Sequence, residues 1–310
     1  MTERPVIQAA CGVLVDGSRF LLAQRPEGKY AAGKWEFPGG KIEAGETAAE
    51  ALCRELREEI GIRVERLRPL LRFRHDYSDR TVILDTWRVE RWQGEPAPQE
   101  GQALTWRDAG DYSALDVLPT VQPIVAALVL PDFYIFTPED ADPSQLPAAI
   151  AALPPGVLLR LRLPRLDDAD YAAQAARLKP ICSARGIDLF LDRAPELSAQ
   201  LELGWHATSA ALRSYVQRPL PTRYRMAASV HDAAERVLAQ QLGVDFVVIG
   251  AIKPTTTHPG GAVLGWSGFG VVRGDAPLPA YGIGGLTASD LEQAQAAGAC
   301  GIAGIRGFWR

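Results

Sequence analysis

Cysteine is scarce: four in 310 residues (Cys11, Cys53, Cys182, Cys300), far apart and with no Cys-x-x-Cys. That pattern excludes a disulfide framework and a cysteine-rich zinc site. Long apolar runs are missing too; none approaches the ~18–20 residues that span a bilayer. The opening Met-Thr-Glu-Arg-Pro has neither the basic nor the apolar region of a signal peptide. Neither sign of charge dominates. Lys+Arg 33 against Asp+Glu 37 gives −4, which leaves no broad basic footprint for a nucleic-acid polymer. What is present, 47% apolar and 23% charged residues, is the composition of an ordered globular chain. A cytoplasmic protein with neither a membrane nor a nucleic-acid partner is expected. At ~100–200 residues per domain, the length suggests two domains.

The first 130 residues read as a mixed α+β unit. Apolar runs at 7–15 and 19–23 flank Asp16-Gly17, a hairpin signal that rests on glycine's tolerance of positive φ. The stretch TVILDTWRVER at 81–91 is β-branched and aromatic, as a strand requires. A long helical pattern covers 48–59 and is stopped by Gly61; a second helix is expected over 122–129. Leu130-Pro131-Asp132 is the expected boundary, giving domains 1–131 and 132–310.

From Phe133 the rhythm changes. Short apolar strands alternate with Ala-rich, helix-length stretches: FYIFT at 133–137, VLLRLRL at 157–163, IDLFL at 187–191, LGWHA at 203–207, RMAASV at 225–230, DFVVIG at 245–250, LPAYGIG at 278–284 and GIAGI at 301–305. The βα alternation implies parallel pairing, and eight strands close a (β/α)8 barrel. About 178 residues would make a compact one, below the usual ~200–250. An open doubly wound sheet is the alternative.

Chemistry concentrates between Gly40 and Ile62. On a helix Glu55, Glu58 and Glu59 are spaced i, i+3, i+4 and share one face. Like charges so close repel by a few tenths of a kcal/mol per pair. A hard divalent cation removes that cost, since Mg²⁺ takes oxygen ligands and completes its shell with water and substrate phosphates. Glu46, near the helix start, is placed to orient Arg54 or to ligate through water. Gly39 and Gly40 permit a tight turn whose backbone approaches phosphate or metal.

The segment fits G-x5-E-x7-R-E-U-x-E-E-x-G-U, with U aliphatic, at every fixed position. That is the Nudix box. With Glu36-Phe37-Pro38-Gly39-Gly40-Lys41 before it, and Arg88-Val-Glu-Arg-Trp-Gln-Gly-Glu-Pro and Glu100-Gly101-Gln102 after, residues 5–130 resemble MutT-type 8-oxo-dGTP diphosphatases. The resemblance implies a Nudix α/β/α sandwich with a mixed sheet. It implies metal ligation by Glu55, Glu58, Glu59 and Glu100 with the Gly40 carbonyl nearby, and Mg²⁺ as cofactor, replaceable by Mn²⁺. Arg25 and Phe37 match nucleotide-contacting positions, and Gly39 and Lys41 flank them. The implied reaction is attack of water on the β-phosphorus of a nucleoside triphosphate, releasing a monophosphate and pyrophosphate. Glu55 and Glu100 are both candidates for accepting the water's proton. One position departs. The family's purine-reading asparagine falls at Val121, which cannot hydrogen-bond a base; Gln122 offers the nearest amide.

In the second half, Tyr281-Gly-Ile-Gly284-Gly285-Leu-Thr287 follows the seventh barrel strand and Gly301-Ile-Ala-Gly304 forms the eighth. Loops at these places bind phosphate in barrels of this kind. Together with Ser229-Val-His231 and Gly250-Ala-Ile-Lys-Pro254-Thr255, they make residues 133–310 similar to the thiamine phosphate synthase and TenI family. The likeness implies proton transfer at His231 and a phosphorylated thiazole ligand held by Thr255, Gly284, Gly285 and Gly304. The synthase's Gln-x-Arg-x-Lys is Arg160-Leu-Arg162-Leu-Pro164 here, its Asn-Asp pair is Leu191-Asp192, and its second magnesium aspartate has no match beyond His206. An accessory or tautomerase barrel is therefore expected rather than a complete synthase.

Overall fold

The computed structural model describes residues 4–255 and 262–309. One compact unit runs to Val129 and includes Asp275–Pro277; the second comprises Leu130–Gly274 and the chain from Leu278. Among the described residues, no helix is long and apolar enough to cross a membrane.

The first unit is a seven-stranded mixed sheet. Strands β1 (Val6–Asp16) and β2 (Arg19–Gln24) form the expected hairpin. β3 (Trp35–Glu36) continues it on one side, and β4 (Gly39–Lys41) pairs with β1. Helix α1 (Ala48–Ile60) follows, then β5 (Arg63–Asp76), β6 (Thr81–Gln93), β7 (Leu104–Asp108) and α2 (Val121–Leu128). The sheet runs β3-β2-β1-β6-β5, with β7 against β2; β1 and β6 alone among these pairs are parallel. Alternation along β1 sends Val13 to one face and Leu14 to the other. Leu14 packs with Leu52, Leu56 and Ile60 of α1, whereas Val13 packs with Ile124 and Val125 of α2. The result is a helix on each face.

Helix α1 carries its own punctuation. Thr47 caps it, Glu50 in return accepts the Thr47 N–H at 2.8 Å, and Gly61 ends it in the left-handed region. The expected turn at Gly39-Gly40 is instead strand β4, with Ala10 opposite Gly40 and Cys11 opposite Gly39. Glycine is needed at Gly39 because φ is +146° and a Cβ would lie 2.2 Å from the Ala10 carbonyl oxygen.

The second unit is a closed parallel barrel. Its strands are β8 (Phe133–Phe136), β9 (Leu158–Leu161), β10 (Asp188–Leu191), β11 (Gly204–Ala207), β12 (Met226–Val230), β13 (Phe246–Gly250), β14 (Ala280–Ile283) and β15 (Gly301–Gly304). Ile302 opposite Phe133 closes the ring, so the open-sheet alternative does not apply. Aromatic rings fill the interior: Tyr134 lies within 6.0 Å, centroid to centroid, of Phe136, Phe190, His206, Phe246 and Tyr281.

Candidate active site and barrel mouth

Sheet and helix of the first unit enclose a cavity of about 560 Å³. Arg25, Phe37, Gly39, Gly40, Lys41, Glu55, Glu59 and Glu100 line it, as do Lys29, Glu36, Tyr77, Gln102 and Val121. Glu46, Arg54, Glu58 and Gln122 are not among the lining residues. Gln122 is exposed at the start of α2, so its amide is not presented to the cavity in place of the missing asparagine. Val121, the neighbouring position, is 1% exposed and forms part of an apolar wall with Leu118 and Ile124.

Arg54 organises the acidic helix. It clasps Glu46 with two bonds (Nε–Oε1 2.8 Å, Nη2–Oε2 3.0 Å), donates to Glu55 at 2.8 Å and Glu58 at 3.3 Å, and reaches the Lys41 carbonyl at 3.2 Å. The bidentate clasp holds the Glu46 carboxyl down to about 2, while the surrounding carboxylates raise the proton affinity of the guanidinium. Glu59 turns the other way and accepts the Gly39 N–H at 3.0 Å. Burial pushes its carboxyl up to about 7, against the pull of that hydrogen bond and with help from the nearby Glu36 and Glu55 charges.

Glu46, Glu55 and Glu58 thus share Arg54, and Glu59 takes the Gly39 N–H. Among the described residues no three acidic, histidine or cysteine side chains gather as a metal-binding group. The shared helix face expected for Glu55, Glu58 and Glu59 is present, but Arg54 draws two of them aside and Glu58 is 56% exposed. Like charges one turn apart repel, and the Arg54 guanidinium offsets that repulsion. The donor chemistry still suits a hard cation. Glu55, Glu59, Glu100 and the backbone of Gly40 line one cavity and offer oxygen. A Cβ on Gly40 would fall 2.3 Å from the Glu55 carboxyl carbon, so only glycine lets carboxylate and backbone come this close.

Among the lining residues not singled out from sequence are Glu36, Lys29 and Gln102. Glu36 receives Arg25 Nη1, and burial raises its proton affinity against that pairing. Arg25 Nε is also bound by the Tyr30 carbonyl, which fixes the guanidinium at the wall. Lys29 donates to Glu100 at 2.8 Å. Gln102 accepts from Glu100 N at 2.9 Å and donates to the Glu59 carbonyl at 2.6 Å. The Glu100-Gly101-Gln102 string held that last signal.

At the barrel's C-terminal end the charges are internally matched. Arg160 is 7% exposed, lies over Phe136 and pairs with Asp192 at 3.0 Å; Tyr171 also donates to Asp192 at 3.1 Å. Arg162 pairs with Glu139. His206 is fully buried, between Tyr134 (Nδ1–OH 2.9 Å) and Ser229 (Nε2–Oγ 2.8 Å). His231 is 61% exposed, with Nδ1 at 2.9 Å from Ser209 Oγ and 3.0 Å from Glu235 Oε2. Gly284 and Gly285 let two loops run together, with Lys253 N bonded to the Gly284 carbonyl at 3.0 Å and the Pro254 carbonyl 2.7 Å from where a Gly285 Cβ would be. Thr255 follows in irregular backbone. Gly304 makes room for the Phe308 ring, 2.4 Å from a Cβ built there.

A helix-flanked mixed sheet with the acidic helix set against a cavity of about 560 Å³ defines a Nudix hydrolase, and the closed eight-stranded unit is a TIM barrel. The Nudix domain model matches residues 6–128 and the thiamine monophosphate synthase model matches 133–308. The chain belongs to the thiamine monophosphate synthase family through its barrel and to the MutT-type Nudix hydrolases through its first unit. It is 37% identical to an Escherichia coli 8-oxo-dGTP diphosphatase over 123 residues, 39% of this chain and 95% of that one. It is 33% identical to the CTP pyrophosphohydrolase of the same organism over 40% of this chain and 92% of that one. Among solved structures it is similar to a thiamine phosphate pyrophosphorylase from Pyrococcus furiosus, at 17% identity and TM-score 0.45 over 56% of this chain and 85% of that one. The first unit is a nucleotide pyrophosphohydrolase acting on phosphoric anhydride bonds, of a family that works with a divalent metal.

Proposed function

We propose that the first unit is a Mg²⁺-dependent 8-oxo-dGTP diphosphatase, converting 8-oxo-dGTP and water to 8-oxo-dGMP and pyrophosphate, with Mn²⁺ able to replace Mg²⁺. The observation that carries this reading is the 37% identity to the Escherichia coli diphosphatase across 95% of its length. The cavity supports it: Arg25 and Lys41 offer cations to a triphosphate, and Glu55, Glu59, Glu100 and the Gly40 carbonyl offer oxygen to a cation. When bound, the divalent ion supplies charge neutralisation and a more acidic water. Arg54 keeps Glu55 and Glu46 in place, and the proton of the attacking water passes to Glu55 or Glu100. Glu55→Gln is expected to abolish pyrophosphate release from 8-oxo-dGTP while circular dichroism stays native; unchanged turnover would sink the proposal.

The substrate panel includes dGTP and CTP, because the apolar wall at Val121 and the likeness to a CTP pyrophosphohydrolase favour a looser reading of the base. For the barrel we propose an accessory role, binding a phosphorylated thiazole near Thr255, Gly284 and Gly285, with His231 available for proton transfer at its exposed ring. The Arg160–Asp192 pair supports binding over synthase chemistry, since it neutralises the carboxylate retained at the position of the synthase pair. A thiamine-pathway role for the whole chain is the second reading. Growth of a thiamine auxotroph rescued by the full chain would favour it.

A further inference from the structure

Lys29 holds a position that neither the acidic helix nor the base wall explains. Its ammonium lies 2.8 Å from Glu100 Oε2, a contact 71 residues apart in sequence, and the Glu59 charge also acts on it. The two side chains are similarly exposed, Lys29 at 49% and Glu100 at 43%. Glu100 sits in a segment pinned to the end of α1 by two bonds, Gln99 N to the Glu59 carbonyl at 2.9 Å and Gln102 Nε2 to the same carbonyl at 2.6 Å, and tied within itself by Glu100 N to Gln102 Oε1. Lys29 reaches across from the segment between β2 and β3 on a flexible four-carbon stem, with its side chain 49% exposed. Arg25 and Arg80, which line the same cavity, are bound to Glu36 and Asp79 away from Glu100.

Resting on the reading of the cavity as a metal-assisted triphosphate site, we propose that Lys29 is an exchange latch: its ammonium and a divalent cation compete for the Glu100 carboxylate, and the ammonium so released binds a phosphate oxygen of the nucleotide. A compact ammonium with three donors suits a phosphate as a point charge. Because the backbone around Glu100 is pinned to the end of α1, exchange moves side chains and leaves the cavity wall in place. The latch makes metal uptake and phosphate capture parts of one event.

Removing the charge should then move two affinities in opposite directions, which a merely structural lysine would not do. Mn²⁺ is titrated calorimetrically into the full chain without nucleotide, for wild type, Lys29→Met and Lys29→Arg. Lys29→Met is expected to bind Mn²⁺ about threefold to fivefold more tightly, the range set by loss of an exposed ion pair. At saturating Mn²⁺ the same variant should bind a non-hydrolysable triphosphate analogue about tenfold more weakly, as expected for a lost hydrogen bond to a charged group. Lys29→Arg should restore most of the analogue affinity. Mn²⁺ binding that is unchanged or weaker in Lys29→Met, or analogue binding that is unchanged, overturns the latch while leaving the hydrolase reading intact. Wild-type protein that takes up no Mn²⁺ overturns both.

Discussion

Gly40 and Glu55 are in contact across the cavity wall: a methyl group on the glycine would sit 2.3 Å from the glutamate's carboxyl carbon. Gly40→Ala therefore expels the Glu55 carboxylate from its place without removing any donor. An ångström-scale displacement at a reacting site costs on the order of a hundredfold in rate. Turnover should fall by about that factor, with the melting temperature changed little because α1 keeps its caps and buried face. A Gly40→Ala enzyme with wild-type kcat/KM would show that this approach does not matter.

On the proposed reading of the cavity, Val121 bears on base selectivity. Its side chain is buried in the wall beside Leu118 and Ile124, where no amide can pair with a purine edge. In Val121→Asn, the kcat/KM ratio of 8-oxo-dGTP to dGTP should rise by at least about tenfold, as a site built to hydrogen-bond its substrate penalises the analogue that leaves it unpaired. The new amide, unpaired without ligand, should cost about 1–3 kcal/mol of stability. The check is a paired kinetic series with urea unfolding of the free protein.

The barrel's Arg160–Asp192 pair predicts an asymmetry between single and double substitutions. Both side chains are largely withdrawn from solvent, at 8% and 13% exposure. Asp192→Asn leaves a buried guanidinium without its counter-ion and should destabilise by about 3–5 kcal/mol. Arg160→Met combined with Asp192→Asn should recover more than half of that loss, since no charge remains to be compensated. Equal destabilisation in single and double variants would show that the pair matters for its shape instead.

Much of this architecture was readable from pattern. The helix that Gly61 stops, the hairpin at Asp16-Gly17 and all eight barrel strands follow from periodicity and turn residues, because each is a local preference that packing reinforces. β5, the longest strand of the first unit, escaped that reading. Arg63, Arg66, Arg68, Pro69, Arg72 and Arg74 crowd it, and register shifts between Val64 and Arg66, Arg66 and Leu67, and Pro69 and Leu71 break the alternation a strand normally displays. The helix carboxylates were legible as a set, but not how Arg54 and Gly39 N–H divide them. Lys29 was invisible because its meaning lies in a residue 71 positions away.

His206 gives the barrel a pH dependence whose sign can be worked out. Burial, reinforced by Arg160 and Arg162, holds its ring well below the ordinary histidine range, so the folded barrel keeps it neutral. Its ring nitrogens face Tyr134 and Ser229, and the rings of Tyr134 and Phe136 pack against it; none of these groups carries a negative charge near neutral pH to favour the imidazolium. Unfolded, the same side chain takes up a proton below about 6.5. The unfolded state then binds more protons than the folded one, so the contribution to stability is intact above that value and falls as the pH drops through it, by up to about 1.4 kcal/mol per unit. In His206→Asn this component should vanish. The difference in unfolding free energy between wild type and variant, measured on the full chain from pH 7.5 down to 5, should narrow steadily below about 6.5. A difference that stays constant over that range would mean that the folded barrel tolerates the charged ring.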